Sequence, residues 1–282
     1  MINDILGEVR RLIPSLSASE KRVANVVLEE PEKMIFWTVN ELGERAKVGD
    51  ATVLRFCRKL GLSGYQEFKL LVAQSLSPHQ QDGKTNEEED ADEQMAMIRR
   101  TTKTNMLAVQ DTTEMLDPEV LKQAAERMIR AKSVHFYGVG SSGLTAADAR
   151  LRFMRIGIPC SYMPDPHVQV MDAALLTKDD VAFCITYSGS TKDMLEIIQM
   201  AKFRGACTIV LTGHSRSPII EHADIALFTS SKELPLLGGA FVTKIAQIHL
   251  LDLLFHQVIE LNKSRSEEAS QLTAKAVLRK LF

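Results

Sequence analysis

The sequence is poor in cysteine and has no CxxC pair. Cys57, Cys160, Cys184 and Cys207 are its only thiols in 282 residues, and each stands alone in an apolar stretch. That spacing excludes a disulfide framework and a structural zinc site and leaves four buried, reduced thiols as the expectation. The seven histidines lack metal-ligand spacing; His214 and His222 have nothing nearby to complete a set, so neither a metal nor another cofactor is expected. No apolar run reaches the roughly 18–20 residues that span a bilayer. The opening MINDILGEVRRLIPSL has no apolar block followed by a small-residue cleavage site. A cytoplasmic protein without a membrane partner is therefore expected. An excess of charge of one sign is also missing. Lys and Arg number 34 against 36 Asp and Glu, so only their distribution along the chain is informative.

With 45% apolar and 25% charged residues, the chain has the ordinary balance of a globular protein, and its length suits two domains. Its character changes near residue 77. Before that point the pattern is helical, in short segments. From Pro78 to Glu93 the run PHQQDGKTNEEEDADE sets Lys84 alone against seven acidic residues. It reads as a flexible acidic linker, too polar to offset its own ordering entropy. From Gln94 onward, helical stretches alternate with short β-branched runs at Val134–Tyr137, Pro159–Met163, Val181–Thr186, Thr208–Leu211 and Ile225–Thr229. Such alternation predicts a mainly parallel five-stranded sheet between two helical layers.

In the first segment, Ser17-Ala-Ser-Glu20 and Thr38-Val-Asn-Glu41 have the form of capping boxes. The second opens a short helix that ends near Ala46. Lys47-Val48-Gly49 makes a tight turn, with Gly49 free to take a positive φ, Asp50 placed to cap the next helix and Gly61 placed to end it. In the helix Ala51–Leu60, positions Val53, Phe56, Cys57 and Leu60 fall on one face, which leaves Thr52, Arg55, Arg58 and Lys59 outside and Ala51 slim at the tip. Residues 45–69 hold six Lys/Arg and two Asp/Glu, a local net of +4. A small, hydroxylated helix start with a basic flank, three residues after another helix, suits entry into a major groove. There Arg reads base edges while Lys and Ser hold phosphates. Ser63, Tyr65 and Lys69, which open the following helix, and Thr38 join Ala51, Thr52, Arg55, Arg58 and Lys59 as candidate DNA contacts. The run SEKRVANVVLEEPEKMIFWTVNELGERAKVGDATVLRFCRKLGLSGYQEFK closely resembles the N-terminal domain of RpiR-type bacterial regulators. The likeness covers residues 1–77 and implies a helix-turn-helix at about Val39–Leu60 that reads double-stranded operator DNA with Ala51–Leu60.

Two loops carry the chemistry of the second segment. Gly138-Val-Gly140-Ser141-Ser142-Gly143 follows the first strand and opens a helix; Thr186-Tyr-Ser188-Gly189-Ser190-Thr191 does the same after the third. Both place hydroxyls and free N–H groups at a strand's C-terminal end, where open α/β sheets bind anions. The first loop alone fits a dinucleotide site equally well, while four hydroxyl residues within six positions of the second point to one compact phosphate. The pattern hydroxyl-x-Ser-Gly-x-Thr resembles the SIS (sugar isomerase) domain, with Thr186 in the usual first Ser position, and GAFVTKIAQIHLLDLLF resembles that domain's final helix in RpiR-type regulators. The likeness covers about residues 118–262. It implies that Ser141, Ser142, Ser188 and Thr191 contact the phosphate of a phosphorylated sugar effector, with Gly140, Thr186, Gly189 and Ser190 shaping the cradle.

The expected architecture is therefore an all-α helix-turn-helix domain (1–77), the linker (78–93) and an α/β three-layer SIS domain with flanking helices (94–282). The expected function is a transcriptional regulator, not an enzyme, whose effector alters the packing of paired SIS domains in a homodimer or homotetramer. The apolar final helix and the tail from Asn262 to Phe282 are the assembly surfaces. The rival is a phosphosugar isomerase with Glu233 as base and His167, His249 or His256 as helpers. In the regulator, Glu233 instead bonds a sugar hydroxyl.

Overall fold

The computed structural model describes residues 5–76, 87–230 and 241–278, and the chain divides into two compact units, with the change between Thr102 and Lys103. The first unit holds α1 (Ile5–Leu12), α2 (Ala18–Glu29), α3 (Pro31–Met34), α4 (Val39–Arg45), α5 (Asp50–Lys59) and α6 (Tyr65–Leu76). Both capping boxes form. Ser17 Oγ and Thr38 Oγ1 accept from the N–H of Glu20 and Glu41, whose carboxylates accept from the N–H of Ser17 and Thr38 at 2.8 and 2.7 Å. Phe56 and Phe68 meet edge to face at 5.5 Å in a core that also buries Val53, Cys57 and Leu60, the predicted inner face of α5.

The turn before α5 differs from expectation. Lys47, not Gly49, takes the positive φ (53°), and Gly49 is the N-cap in extended backbone, so Asp50 is the first helical residue rather than the cap. The reason lies across the turn. A Cβ on Gly43 would stand 2.8 Å from the Val48 carbonyl oxygen, so α4 and the turn touch backbone to backbone and the chain must reverse two residues early.

The acidic segment also differs. α7 runs Glu87–Met115, so the part of the expected linker from Glu87 to Glu93 is helical, and the rest lies outside the described residues. An acidic and polar segment says little about a helix whose anchoring comes late, at buried Ala108 and Thr112.

In the second unit, α8 (Pro118–Arg130) leads into β1 (Val134–Tyr137), α9 (Ser141–Arg155), β2 (Cys160–Tyr162), α10 (Pro166–Ala173), β3 (Val181–Ile185), α11 (Lys192–Phe203), β4 (Cys207–Thr212) and β5 (Ile225–Phe228). The helices α12 (Phe241–Leu261) and α13 (Lys263–Leu278) follow. The sheet order is β2-β1-β3-β4-β5, with every pairing parallel. Alternate residues of each strand face two separate cores. Phe136, Phe183, Ile185 and Leu211 pack under α8, α9 and α12, while Tyr137, Cys184 and Val210 pack under α10 and α11. Three layers result. The chain leaves β1 toward β2 and then crosses back to β3 on the other side, so the C-terminal ends of β1 and β3 flank a topological switch point. No described helix is long and apolar enough to cross a membrane.

Candidate functional site

On the first unit, Ala51, Arg55, Arg58 and Lys59 are exposed on α5, but Lys59 is already engaged. Its ammonium lies 2.8 Å from the buried Glu20 carboxylate. That hydrogen bond and those from Ser17 outweigh desolvation and hold the Glu20 carboxyl down at about 2. Thr52, expected outside, is buried, and its hydroxyl accepts from Arg55 Nη2 at 3.2 Å. Tyr65 is buried as well, its hydroxyl donating to the Trp37 carbonyl at 3.1 Å, and Lys69 Nζ donates to the same oxygen at 3.0 Å. Thr38 is the buried cap described above. Ser63 is exposed, but its N–H and hydroxyl both donate to Glu67, at 2.7 and 2.6 Å. The start of α6 thus already carries a carboxylate where a DNA phosphate was expected. Arg55 and Arg58 remain as the outward cations of α5, and Arg45 and Lys47, both exposed, extend the basic surface from the preceding helix and turn. Arg45 lies over the Trp37 ring at 4.2 Å.

On the second unit, Tyr137 and Cys184 are register partners, so the two Gly/Ser loops leave neighbouring strands at the same height, about 4.8 Å apart. Gly140 (φ 58°) is the N-cap of α9 and Thr191 that of α11, and neither helix start receives a side-chain cap. By contrast Ser17, Thr38, Asp117 and Asp165 close α2, α4, α8 and α10 with their own oxygens. Among the described residues no side-chain oxygen closes the starts of α9 and α11, which stand beside the hydroxyls of Ser141, Ser142, Ser188, Ser190 and Thr191. Thr186 is buried and shapes the second loop from within: its Oγ1 accepts from the Gly189 N–H at 3.3 Å, while the Ser190 N–H turns to Ser188 Oγ at 3.3 Å. Gly138 and Gly143 allow contact between strand and helix. A Cβ on the first would stand 2.7 Å from the Ser142 oxygen, and one on the second 2.9 Å from the Gly138 oxygen.

Two contributors to the first loop escaped sequence reasoning, as did a residue that fastens α10 without touching either loop. Lys244, at the start of α12, donates to the Ser141 carbonyl at 3.3 Å and brings a positive charge to the first loop. Gln169, on α10, is fully buried and bonded to Gly138. Asp172, one turn on, accepts from Tyr137 Oη at 2.7 Å and from His135 Nδ1 at 2.8 Å. Burial alone would raise its carboxyl, but those two bonds hold it below the usual carboxylate range.

Glu233 and the loop residues 231–239 lie outside the described residues. Of the proposed helpers, His249 bonds Thr113 at 2.8 Å, His256 lies 3.9 Å from Asp252, and His167 is exposed. No group of three metal-ligating side chains occurs among the described residues. A cleft of about 560 Å³ opens at the opposite, N-terminal ends of the strands. Its Arg127, Arg130 and Lys202 sit in the last turns of α8 and α11, where cations offset the helix dipole. Arg130 and Lys202 also pair with Glu126 and Asp224. This cleft therefore lies at the other end of the sheet from the uncapped starts of α9 and α11.

Residues 4–79 match the helix-turn-helix domain of the rpiR family, and residues 127–257 match the SIS domain. An uncharacterised HTH-type transcriptional regulator of Caldanaerobacter subterraneus is 41% identical over 256 residues, 90% of each chain. The HTH-type transcriptional regulator HexR of Pseudomonas aeruginosa is 29% identical over 90% of this chain and 88% of its own. Among solved structures, the Vibrio vulnificus NanR protein complexed with ManNAc-6P superposes with a TM-score of 0.87 at 27% identity, covering 99% of both chains.

Proposed function

The chain belongs to the rpiR family of HTH-type transcriptional regulators, and from that premise we propose that a phosphorylated sugar, held between the loops Gly138–Gly143 and Thr186–Thr191, sets its affinity for operator DNA. The observation that carries this reading is the pair of uncapped helix starts at a switch point, both lined with hydroxyls. Two helix N-termini that follow neighbouring strands at one switch point favour a compact dianion such as a phosphate monoester. Lys244 supplies a formal countercharge. The ManNAc-6P in the NanR complex supports a phosphosugar as the chemical class.

In this reading Arg55 and Arg58 read bases or phosphates of double-stranded DNA, and two copies of the chain present two heads to a roughly palindromic operator. Exposed Leu272, Val277 and Leu278 on α13 offer apolar surface for a dimer or tetramer in the cytoplasm. No turnover is ascribed to the site. An isomerase needs a base at the sugar's C1 and C2, and the hydroxyls and amides of the two loops bind an anion without abstracting a proton.

The test is a melt of the full chain with a panel of sugar phosphates. One member at about 100 times its Kd is expected to stabilise the SIS domain by roughly 2.7 kcal/mol, with no interconversion of aldose and ketose phosphates. Aldose–ketose turnover that disappears in Glu233→Gln would make the chain an isomerase. A panel without any stabilising member would remove the effector.

A further inference from the structure

We propose that Gln169 is the positioning residue of the first loop, standing in for a missing stretch of β-strand and so fixing the peptide from which the phosphate cradle starts. The inference rests on the phosphosugar reading of that cradle. β2 pairs with β1 only as far as Phe136 opposite Tyr162, and Met163 is followed by Pro164, which has no N–H to extend the ladder. Gly138, the first residue past β1, would therefore face that side with an unpaired N–H and carbonyl in the interior, a costly arrangement.

The Gln169 amide completes the pairing. Gly138 N–H donates to Gln169 Oε1 at 3.2 Å, and Gln169 Nε2 donates to the Gly138 carbonyl at 3.0 Å and to the Met163 carbonyl at 2.7 Å. One side chain thus ties the end of β1 to the end of β2. On the far side of Gly138 the loop folds back until the Ser142 carbonyl leaves no room for a Cβ. Gly138 is held on one flank by Gln169 and pressed on the other by Ser142, so the direction of the Ser141 and Ser142 N–H groups depends on the Gln169 amide. α10 is locked in turn, by the Asp165 cap at its start and by Asp172 on Tyr137 and His135.

Gln169→Leu keeps the volume and removes all three bonds; Gln169→Glu keeps the acceptor for Gly138 N–H and removes both donors. Asp172→Asn is the control, because Asp172 fastens the same helix without touching Gly138. In the full chain, both Gln169 variants should show faster hydrogen exchange at the 138–143 amides. Both should also bind inorganic phosphate and N-acetylmannosamine 6-phosphate at least about tenfold more weakly, while Asp172→Asn stays within a fewfold of wild type. Affinity within twofold of wild type in both Gln169 variants overturns the inference. Equal losses in the Asp172 and Gln169 variants also overturn it, since general packing of α10 would then be responsible. If the wild type binds neither these probes nor any member of the sugar-phosphate panel, the phosphosugar reading itself fails and the inference falls with it; that result is distinguishable because it appears before any substitution.

Discussion

Gly189→Ala is expected to lower the stability of the SIS domain by about 2–5 kcal/mol and to abolish its stabilisation by phosphosugar. Gly189 has a φ of 61°, a conformation that costs a residue with a Cβ roughly 1–2 kcal/mol. The added carbon would also stand 2.1 Å from Ser217 Oγ and 2.5 Å from Ser217 Cβ. Rotation of Ser217 can move the hydroxyl but not the Cβ. Ser217 is buried, its hydroxyl is bonded to the His214 carbonyl at 2.8 Å, and the Ile219 N–H donates to the Gly189 carbonyl at 3.2 Å. The strain must therefore pass into the second loop, where Thr186, Ser188 and Ser190 hold the cradle's shape. Gly64→Ala is the contrasting change, with open space around the position and no positive φ, and should alter neither property. Denaturant unfolding and melts with and without the stabilising sugar phosphate measure both effects. A Gly189→Ala protein as stable and as responsive as wild type would show that the loop is not held as described.

Arg55→Ala and Arg58→Ala should each weaken specific DNA binding by about 1–3 kcal/mol, and together should reduce it to the non-specific level, without changing the melt of the head. Both are exposed on α5. Lys59→Ala should behave in the opposite way, with DNA affinity nearly retained and the head destabilised by about 1–2 kcal/mol, since Lys59 ties α5 to the buried Glu20 and its own half-exposure limits the effect. The pH dependence separates these roles further. The Glu20 carboxyl is held down at about 2 in the folded head, chiefly by the Lys59 hydrogen bond, against an ordinary value of 4.5. Its stabilisation is present above pH 4.5 and is lost as pH falls toward 2, so the acid limb of the head's stability should be steeper in wild type than in Lys59→Ala. Trp37 is the chain's only tryptophan and lies buried in the head, so its fluorescence follows that unit alone. Loss of DNA binding in Lys59→Ala equal to that in Arg55→Ala would return Lys59 to the interface.

Much of this was legible in sequence because it is local. A capping box is written in four consecutive residues, and both expected boxes formed. The five strand runs matched because short β-branched segments between loops have few alternatives, and the predicted face of α5 followed from its period. What escaped depends on partners far along the chain. Period alone places Lys59 and Tyr65 outside or at a helix start; it does not show Glu20, 39 residues away, or the Trp37 carbonyl, 28 away, which engage them. Thr52 falls at the edge of the apolar stripe, where a few degrees of helix rotation decide burial. Gln169 carried no signal, since its partners are backbone atoms that exist as a pair only once β1 and β2 are aligned. The turn at Lys47 failed for a similar reason, because contact between Gly43 and Val48, not residue preference, decides which position takes the positive φ.

In the proposed regulator, sugar phosphate at the cradle and DNA at α5 are coupled. The direct measurement is the affinity of the full chain for a duplex it has selected from a random pool, with and without a saturating sugar phosphate that raises its melting temperature. The expected change is about 5–150-fold, corresponding to a coupling of roughly 1–3 kcal/mol, and it should disappear in Gly189→Ala. Equal affinity in the two conditions, with the sugar phosphate demonstrably bound, would contradict it.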